Sequence, residues 1–411
     1  MDAKEQKRKS HRKRLLTLIT PASVMQRLSV EALCETADNY YRAVVDPTEQ
    51  MGKPFSNPLD APDMLMNLGL LLSGLHLTKT MSVLDFAAGT CWLSRFLSQM
   101  QCATISVDAS EAALAIGRRL FDEHPIVGKP IAPPTFLHFN GRRIDLPDES
   151  VDRIVCFDAF HHIPNQREIL GELARVLKTG GIAGFSEPGR NHSRTPLSQQ
   201  EMANHDVLEN DLVLEDVVAL AYEAGFTGFT CKLGCGDELS LDEYKAVIDR
   251  DTSSTLSHRL LDNITDTMTN KSVFFLYKGA RRLDSRGVQG LACKITVDSP
   301  KLSVRAGEAF TLPCVLQNSG QARWLHHNPH VVGEVQVGTH LYDANGTLLN
   351  LDFGRTRLEK DVEPNEEVAC NLPLRIDAPG RYRIAIDMVS EYVCWFETLG
   401  FKPVNVDVDV S

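Results

Sequence analysis

Between residues 81 and 278 short apolar runs alternate with helical patterns, and this alternation restricts the fold more than any other feature. Residues 83–86, 104–107, 136–139, 153–157 and 182–186 read as buried strands. Residues 92–99, 111–121, 166–176 and 214–224 read as helices between and after them. Two late strands follow at 226–233 and 272–278, with a helical stretch over 241–264. Such alternation predicts an α/β fold with a parallel, doubly wound sheet.

After residue 290 the period changes. Short strand-like runs at 294–297, 310–317, 335–342, 347–351, 368–376, 382–387 and 404–410 are separated by turn signals. Asn345-Gly346 between apolar runs is a strong hairpin signal. This end reads as an all-β, Ig-like antiparallel sandwich. The chain thus divides into a basic tail at 1–14, an N-terminal helical cap at 15–80, an α/β domain at 81–280, a linker at 281–290 and a β-sandwich at 291–411.

The helical cap is broken by Pro47, Pro54, Pro58 and Pro62, and suits either a lid over a pocket or a cover for the sheet. Its Tyr40 and Tyr41 read as packing residues. The first fourteen residues carry seven Lys/Arg and two acids, against a whole-chain net charge of −11. An acidic body of this kind does not suit a general nucleic-acid binder. The basic start suits contact with an anionic membrane or glycolipid surface, and suits a solvated tail as well. No apolar run is long enough to span a bilayer, and the apolar stretch 15–19 is too short for a signal-peptide core, so a cytoplasmic location is expected. Ten cysteines are scattered, and Cys231 with Cys235 has no partner completing a zinc set, so reduced thiols and no metal are expected.

Chemistry concentrates where the first two strands end. Asp85 and Asp108 are 23 residues apart and face one crevice if their strands are neighbours. A carboxylate at the second position can accept from both hydroxyls of a ribose. A dinucleotide site asks for G-x-G-x-x-G at the first turn. Here the turn is Ala87-Ala88-Gly89-Thr90-Cys91-Trp92, with one glycine and a large Trp at the last position. A phosphate-bearing cofactor is therefore disfavoured.

The run Val83-Leu84-Asp85-Phe86-Ala87-Ala88-Gly89-Thr90, then Val107-Asp108-Ala109-Ser110, then Asp145-Leu146-Pro147-Asp148-Glu149-Ser150-Val151-Asp152-Arg153-Ile154-Val155 resembles the class I S-adenosylmethionine-dependent methyltransferases of the small-molecule type. Phe160-His161-His162-Ile163-Pro164 and Leu173-Ala174-Arg175-Val176-Leu177-Lys178-Thr179-Gly180-Gly181 extend the resemblance across residues 81–190. It implies S-adenosyl-L-methionine as cofactor, held by Asp85, Ala87, Gly89, Asp108, Ala109, Asn140, Gly141 and Phe157. The departures from the family pattern are Ala87, Cys91 and Asn140. His161, His162, Glu187 and His192 are the candidate bases or acceptor ligands, and His161 and His162 can equally serve only to shape the pocket. Arg190 and Arg194 suit an anionic acceptor or a solvated loop.

The C-terminal runs Val337–Asp343 (VGTHLYD), Gly354–Leu358 (GRTRL), Pro379–Tyr382 (PGRY) and Asp387–Phe396 resemble, more loosely, Ig-like modules of bacterial glycan-synthesis proteins. That resemblance implies glycan recognition or docking to a glycan assembly; together with the methyltransferase motifs it leads to the expectation of a sugar, nucleotide-sugar or glycan acceptor methylated at oxygen in surface-polysaccharide synthesis. Trp324, Trp395 and Phe396 are candidates to stack on sugar rings, or core residues. Two alternatives stay open: a glycan-binding protein with a degenerate methyltransferase domain, and a methyltransferase for an unrelated metabolite whose sandwich serves dimerisation.

Overall fold

The computed structural model describes residues 18–128, 130, 132–234, 236, 238–250, 254–280, 283–328 and 331–411. The basic tail, Cys235, Arg281 and Arg282 lie outside the described residues. The chain divides into two compact units, Met1–Arg281 and Arg282–Ser411.

In the first unit, among the described residues, four helices precede the sheet: α1 (Pro21–Met25), α2 (Val30–Arg42), α3 (Thr48–Met51) and α4 (Ala61–Leu75). Then strands and helices alternate: β1 (Ser82–Phe86), α5 (Trp92–Gln99), β2 (Ala103–Asp108), α6 (Glu111–Glu123), β3 (Thr135–His138), β4 (Val151–Phe157), α7 (Gln166–Val176) and β5 (Leu177–Pro188). The unit closes with α8 (Pro196–Asn204), α9 (Leu214–Glu223), β6 (Gly228–Lys232), α10 (Leu241–Ile248), α11 (Ser254–Asn270) and β7 (Lys271–Tyr277). The helical stretch expected over 241–264 is thus two helices. Strand order is β3-β2-β1-β4-β5-β7-β6.

The sheet is mixed rather than wholly parallel. β7 runs antiparallel to both β5 and β6. The reason is where α11 delivers the chain. Its last residues sit at the carboxyl end of β5, where the N–H groups of Gly189 and Arg190 donate to the carbonyls of Asn270 and Thr269 at 2.8 and 2.9 Å. Lys271 therefore starts β7 opposite Pro188, and the strand can only run back.

Alternation along β7 places Phe274 and Leu276 on one face and Val273 and Phe275 on the other. Both faces are buried, as a helix-covered sheet requires. The helical region before the sheet splits its duties. α4 covers one face, and the absent Cβ of Gly74 admits the Phe275 ring, which a side chain there would meet at 2.1 Å. α2 stands over the carboxyl ends of the strands, where its Tyr40 and Tyr41 wall a cavity.

The second unit packs a six-stranded sheet against a three-stranded one around a shared apolar core. Its strands are β8 (Leu283–Asp284), β9 (Cys293–Val297), β10 (Lys301–Val304), β11 (Ala309–Asn318), β12 (Ala322–Arg323), β13 (Val335–Asp343), β14 (Leu348–Arg357), β15 (Glu367–Arg375), β16 (Gly380–Ser390), β17 (Cys394–Trp395) and β18 (Val404–Val410). Asn345-Gly346 turns the β13–β14 hairpin, with Gly346 at φ +81°. Pairing is antiparallel except β10 with β18 and β8 with β12. Residues 283–290, read as linker, take part in this unit: β8 pairs with β12, and the buried Ser285 hydroxyl donates to the Gly333 carbonyl at 2.6 Å.

The three aromatic candidates for sugar stacking are engaged inside the unit. Trp324 and Phe396 are fully buried and meet edge to face at 6.0 Å. Trp395 lies between His340, at 4.4 Å, and the Arg355 guanidinium, at 4.5 Å.

Candidate active site

The turn after β1 alternates into the left-handed region at Ala87 (φ +54°), Gly89 (φ +52°) and Cys91 (φ +58°). Such a conformation costs an L-residue roughly 1–2 kcal/mol and glycine little. Only the middle position has the glycine. A Cβ there would also lie 3.1 Å from the Tyr41 hydroxyl, so Gly89 holds the space between turn and cap open. Cys91 is instead packed on α6, where the missing side chain of Gly117 receives it; a Cβ on Gly117 would lie 2.5 Å from Sγ. The turn is pinned to β2 by the Ala88 N–H, which donates to the Val107 carbonyl at 3.0 Å.

Asp108 receives the N–H groups of Gly89 and Ser110 on separate oxygens, each at 2.7 Å. Burial pushes its carboxyl up against the lowering effect of those two bonds. Gly141 (φ +83°) lets α2 close on the loop after β3, since a Cβ there would lie 2.7 Å from both Cys34 Sγ and Val30 Cγ1. Phe157 meets Trp92 edge to face at 5.3 Å.

A cavity of about 500 Å³ lies over these strand ends beneath α2. Ala87, Gly89, Asp108, Ala109, Gly141 and Phe157 all line it. Two expected cofactor residues do not. Asp85 is buried below the turn, where the Ser94 hydroxyl donates to it at 2.7 Å. Asn140 is exposed, and its side-chain oxygen accepts the N–H groups of Arg142 and Arg143 at 3.0 and 2.9 Å, which makes it a turn cap. The cavity residues fit S-adenosylmethionine. Each Asp108 oxygen, with one N–H bond made, keeps acceptor capacity for a ribose hydroxyl. Gly89 leaves the backbone approachable.

On the other side of the cavity stand His162 and Glu209. The His162 Nδ1 lies 2.7 Å from the Leu208 carbonyl, which can only accept, so Nδ1 carries the hydrogen and Nε2 the lone pair. Burial, with His161 beside it, pushes His162 down to about 4. The ring is therefore neutral at pH 7.

Glu187, His161 and His192 do not line the cavity. The Glu187 carboxylate is wholly buried and accepts the N–H groups of Ala159 and Phe160 at 3.1 and 2.9 Å, and His161 Nδ1 at 2.8 Å. Burial would raise it, but the His161 bond and charge and the Phe160 N–H hold it below the usual carboxylate range. It is a positioning residue for the turn 159–162. His192 Nε2 lies 2.6 Å from Glu209 Oε2, and His161 Nε2 lies 3.7 Å from the same atom. Arg190 pairs with Glu215 at 2.5 Å, and neither Arg190 nor Arg194 reaches the cavity.

Glu209 gathers three imidazoles, yet nothing in its surroundings (His205-Asp206-Val207-Leu208-Glu209-Asn210-Asp211) marks it in sequence. Its place is set by Asn210, whose side-chain amide donates to the His161 carbonyl at 2.9 Å. Tyr41 is the other residue the sequence did not mark for the site. Helical packing accounts for an aromatic at that position, and only the fold shows its hydroxyl beside Gly89.

The chain is similar to known methyltransferases. The family described as methyltransferase domain matches residues 84–185. A demethylmenaquinone methyltransferase of Clavibacter sepedonicus is 32% identical over 109 residues, 26% of this chain and 42% of that protein. A probable S-adenosylmethionine-dependent methyltransferase of Mycolicibacterium smegmatis is 24% identical over 185 residues, 42% of this chain and 68% of that protein. The chain thus spans less than half the length of the first of these relatives. Among solved structures, Haemonchus contortus phosphoethanolamine N-methyltransferase 2, in complex with phosphomonomethylethanolamine and S-adenosylhomocysteine, is similar at 17% identity and a TM-score of 0.42, over 61% of this chain and 60% of that one. The matched span holds the turn after β1, Asp108 and the 159–162 turn. Residues 84–185 thus form a methyltransferase domain, with S-adenosylmethionine as its cofactor.

Proposed function

We propose that this chain methylates a hydroxyl of a small polar acceptor, of the sugar, nucleotide-sugar or glycan-linked class. The observation that carries the reading is the two-ended cavity. Asp108 and Gly89 line it on the cofactor side, and His162, Glu201 and Glu209 line it on the other. A lining of imidazole and carboxylates suits a hydroxylated ligand, because each hydroxyl can donate to one of them. The sugar class draws further support only from the sequence resemblance of the C-terminal unit.

When bound, S-adenosylmethionine supplies an activated methyl group. What the chain's own residues contribute is position. The Asp108 carboxylate and the turn 87–91 hold the nucleoside side. The neutral His162 accepts a hydrogen bond through Nε2 and so orients an acceptor hydroxyl. Glu187 and Asn210 fix the 159–162 turn that carries it. Tyr40, Tyr41 and the rest of α2 screen the cavity from water.

The test is a methyl-transfer screen with the full chain, read by mass, against nucleotide-sugars, lipid-linked glycans and non-sugar metabolites. A product one methyl heavier in the first two groups is expected. Transfer confined to non-sugar acceptors would retain the methyltransferase and remove the sugar class. No transfer to any acceptor, together with no cofactor binding, would remove both.

A further inference from the structure

We propose that the C-terminal unit binds a divalent transition-metal ion between His340, Asp387 and Glu397. A ligand atom from each of the three lies within 4.8 Å of those of the other two. His340 is on β13 and Asp387 on β16, adjacent strands in which His340 pairs with Ala385 and Gly338 with Asp387. The two side chains are thus diagonal neighbours on one sheet face. That face is the outer one, since Ile384, Ile386 and Met388 point into the sandwich core. Glu397 comes from the short turn Phe396–Leu399 laid over the same strands.

The imidazole is arranged as a ligand. Its Nδ1 donates to the Leu351 carbonyl, which leaves the lone pair on Nε2. A metal-bound histidine commonly has its other ring nitrogen tied in this way. Nε2 itself is buried and has no hydrogen-bond partner among the described residues, in a side chain with 0% exposure. The nearest Glu397 oxygen is 3.8 Å away, too long for a hydrogen bond. A buried lone pair without a donor is costly, and a cation would satisfy it.

Among the described residues, no Lys or Arg pairs with either carboxylate, and the ion-pair neighbour of Glu397 is His340. Asp387 is 1% exposed, and one of its oxygens accepts the Glu397 N–H at 3.0 Å. Trp395 closes the side of the site: its ring lies on His340, and it fills the space a Cβ on Gly338 would occupy at 2.4 Å. One imidazole and two carboxylates form a set suited to Zn2+ or Mn2+ rather than to a soft ion. The ion would tie the turn 396–399 to β13 and β16.

The experiment uses the full chain stripped with a chelator and titrated with ZnCl2 by calorimetry, with bound zinc counted by mass spectrometry. Wild type is expected to take up zinc, and Asp387→Asn to lose one equivalent. Glu397→Gln, at the exposed rim, carries the test should the buried variant fail to fold, and is expected to bind about tenfold or more weakly with an unchanged circular dichroism spectrum. Absence of zinc uptake by wild type overturns the proposal. So does unchanged affinity in Glu397→Gln, which would place any bound zinc elsewhere, the His161–His162–Glu209 cluster included.

Discussion

Glu187 Oε2 lies 2.8 Å from His161 Nδ1, and both side chains are buried, at 0% and 5% exposure. Of the four residues the sequence offers as bases, these two are therefore occupied with each other, and only His162 faces the cavity. Glu187→Gln puts an amide N–H where His161 needs an acceptor. It is expected to lose about 1–3 kcal/mol of stability. Methyl transfer should fall while S-adenosylmethionine affinity changes little. Burial lowers His162 and the Glu187 charge holds it up against that burial, so a variant that keeps the 159–162 turn in place should titrate His162 lower than wild type, which NMR reads; a rise toward the ordinary imidazole range would mean instead that the turn has opened.

Asp108→Ala removes the acceptor for the Gly89 and Ser110 N–H groups as well as the proposed ribose contact. Calorimetry should show cofactor binding weakened by about 2 kcal/mol or more, on the order of thirtyfold. Binding equal to wild type would mean that Asp108 serves the turn alone.

Ala87→Gly should stabilise the first unit. Ala87 sits at φ +54°, where an L-residue pays a steric cost. Relief of roughly 1–2 kcal/mol is offset by the greater freedom of glycine in the unfolded chain, leaving about 0.5–1 kcal/mol. Urea denaturation of the two proteins measures it, and a less stable variant would contradict the argument.

Asp85 gives the first unit a pH dependence. Burial, opposed by the Ser94 bond, pushes its carboxyl up to about 7. Unfolded, it ionises near ~3.9. Between those values the folded state holds a proton that the unfolded state has released. Stability from this group is therefore full below pH ~4 and is lost as pH rises toward 7, by about 1.4 kcal/mol per unit at most. Asp85→Asn lacks this loss. Relative to wild type its stability should climb by on the order of 2–4 kcal/mol between pH 4 and 8. Parallel pH profiles for the two proteins would sink the assignment.

Periodicity alone located the core of both units. The expected helices at 92–99 and 166–176 are α5 and α7 to the residue, and every expected strand has its counterpart. The seven strand runs after residue 290 all appear, because alternation of apolar and polar residues reports a half-buried sheet directly. The direction of β7 was not legible. A buried strand has the same apolar pattern either way, and only the seat of α11 at the end of β5 fixes it. Asn140 shows the same limit at one residue: position in a motif suggested a ligand, and two neighbouring N–H groups made it a cap.

The sequence by itself determined the strand–turn–helix of residues 83–99, the acid at the end of β2, and the break between an α/β unit and a β unit. These are local matters of period, turn chemistry and strand ends. Tertiary structure decided which side chains meet. It sent Asp85 under the turn, brought Glu209 to three histidines from across a loop, and buried Trp324 in a core. It also placed His340, Asp387 and Glu397 together from three segments of chain. Such contacts depend on long-range packing, and no spacing along the chain encodes them.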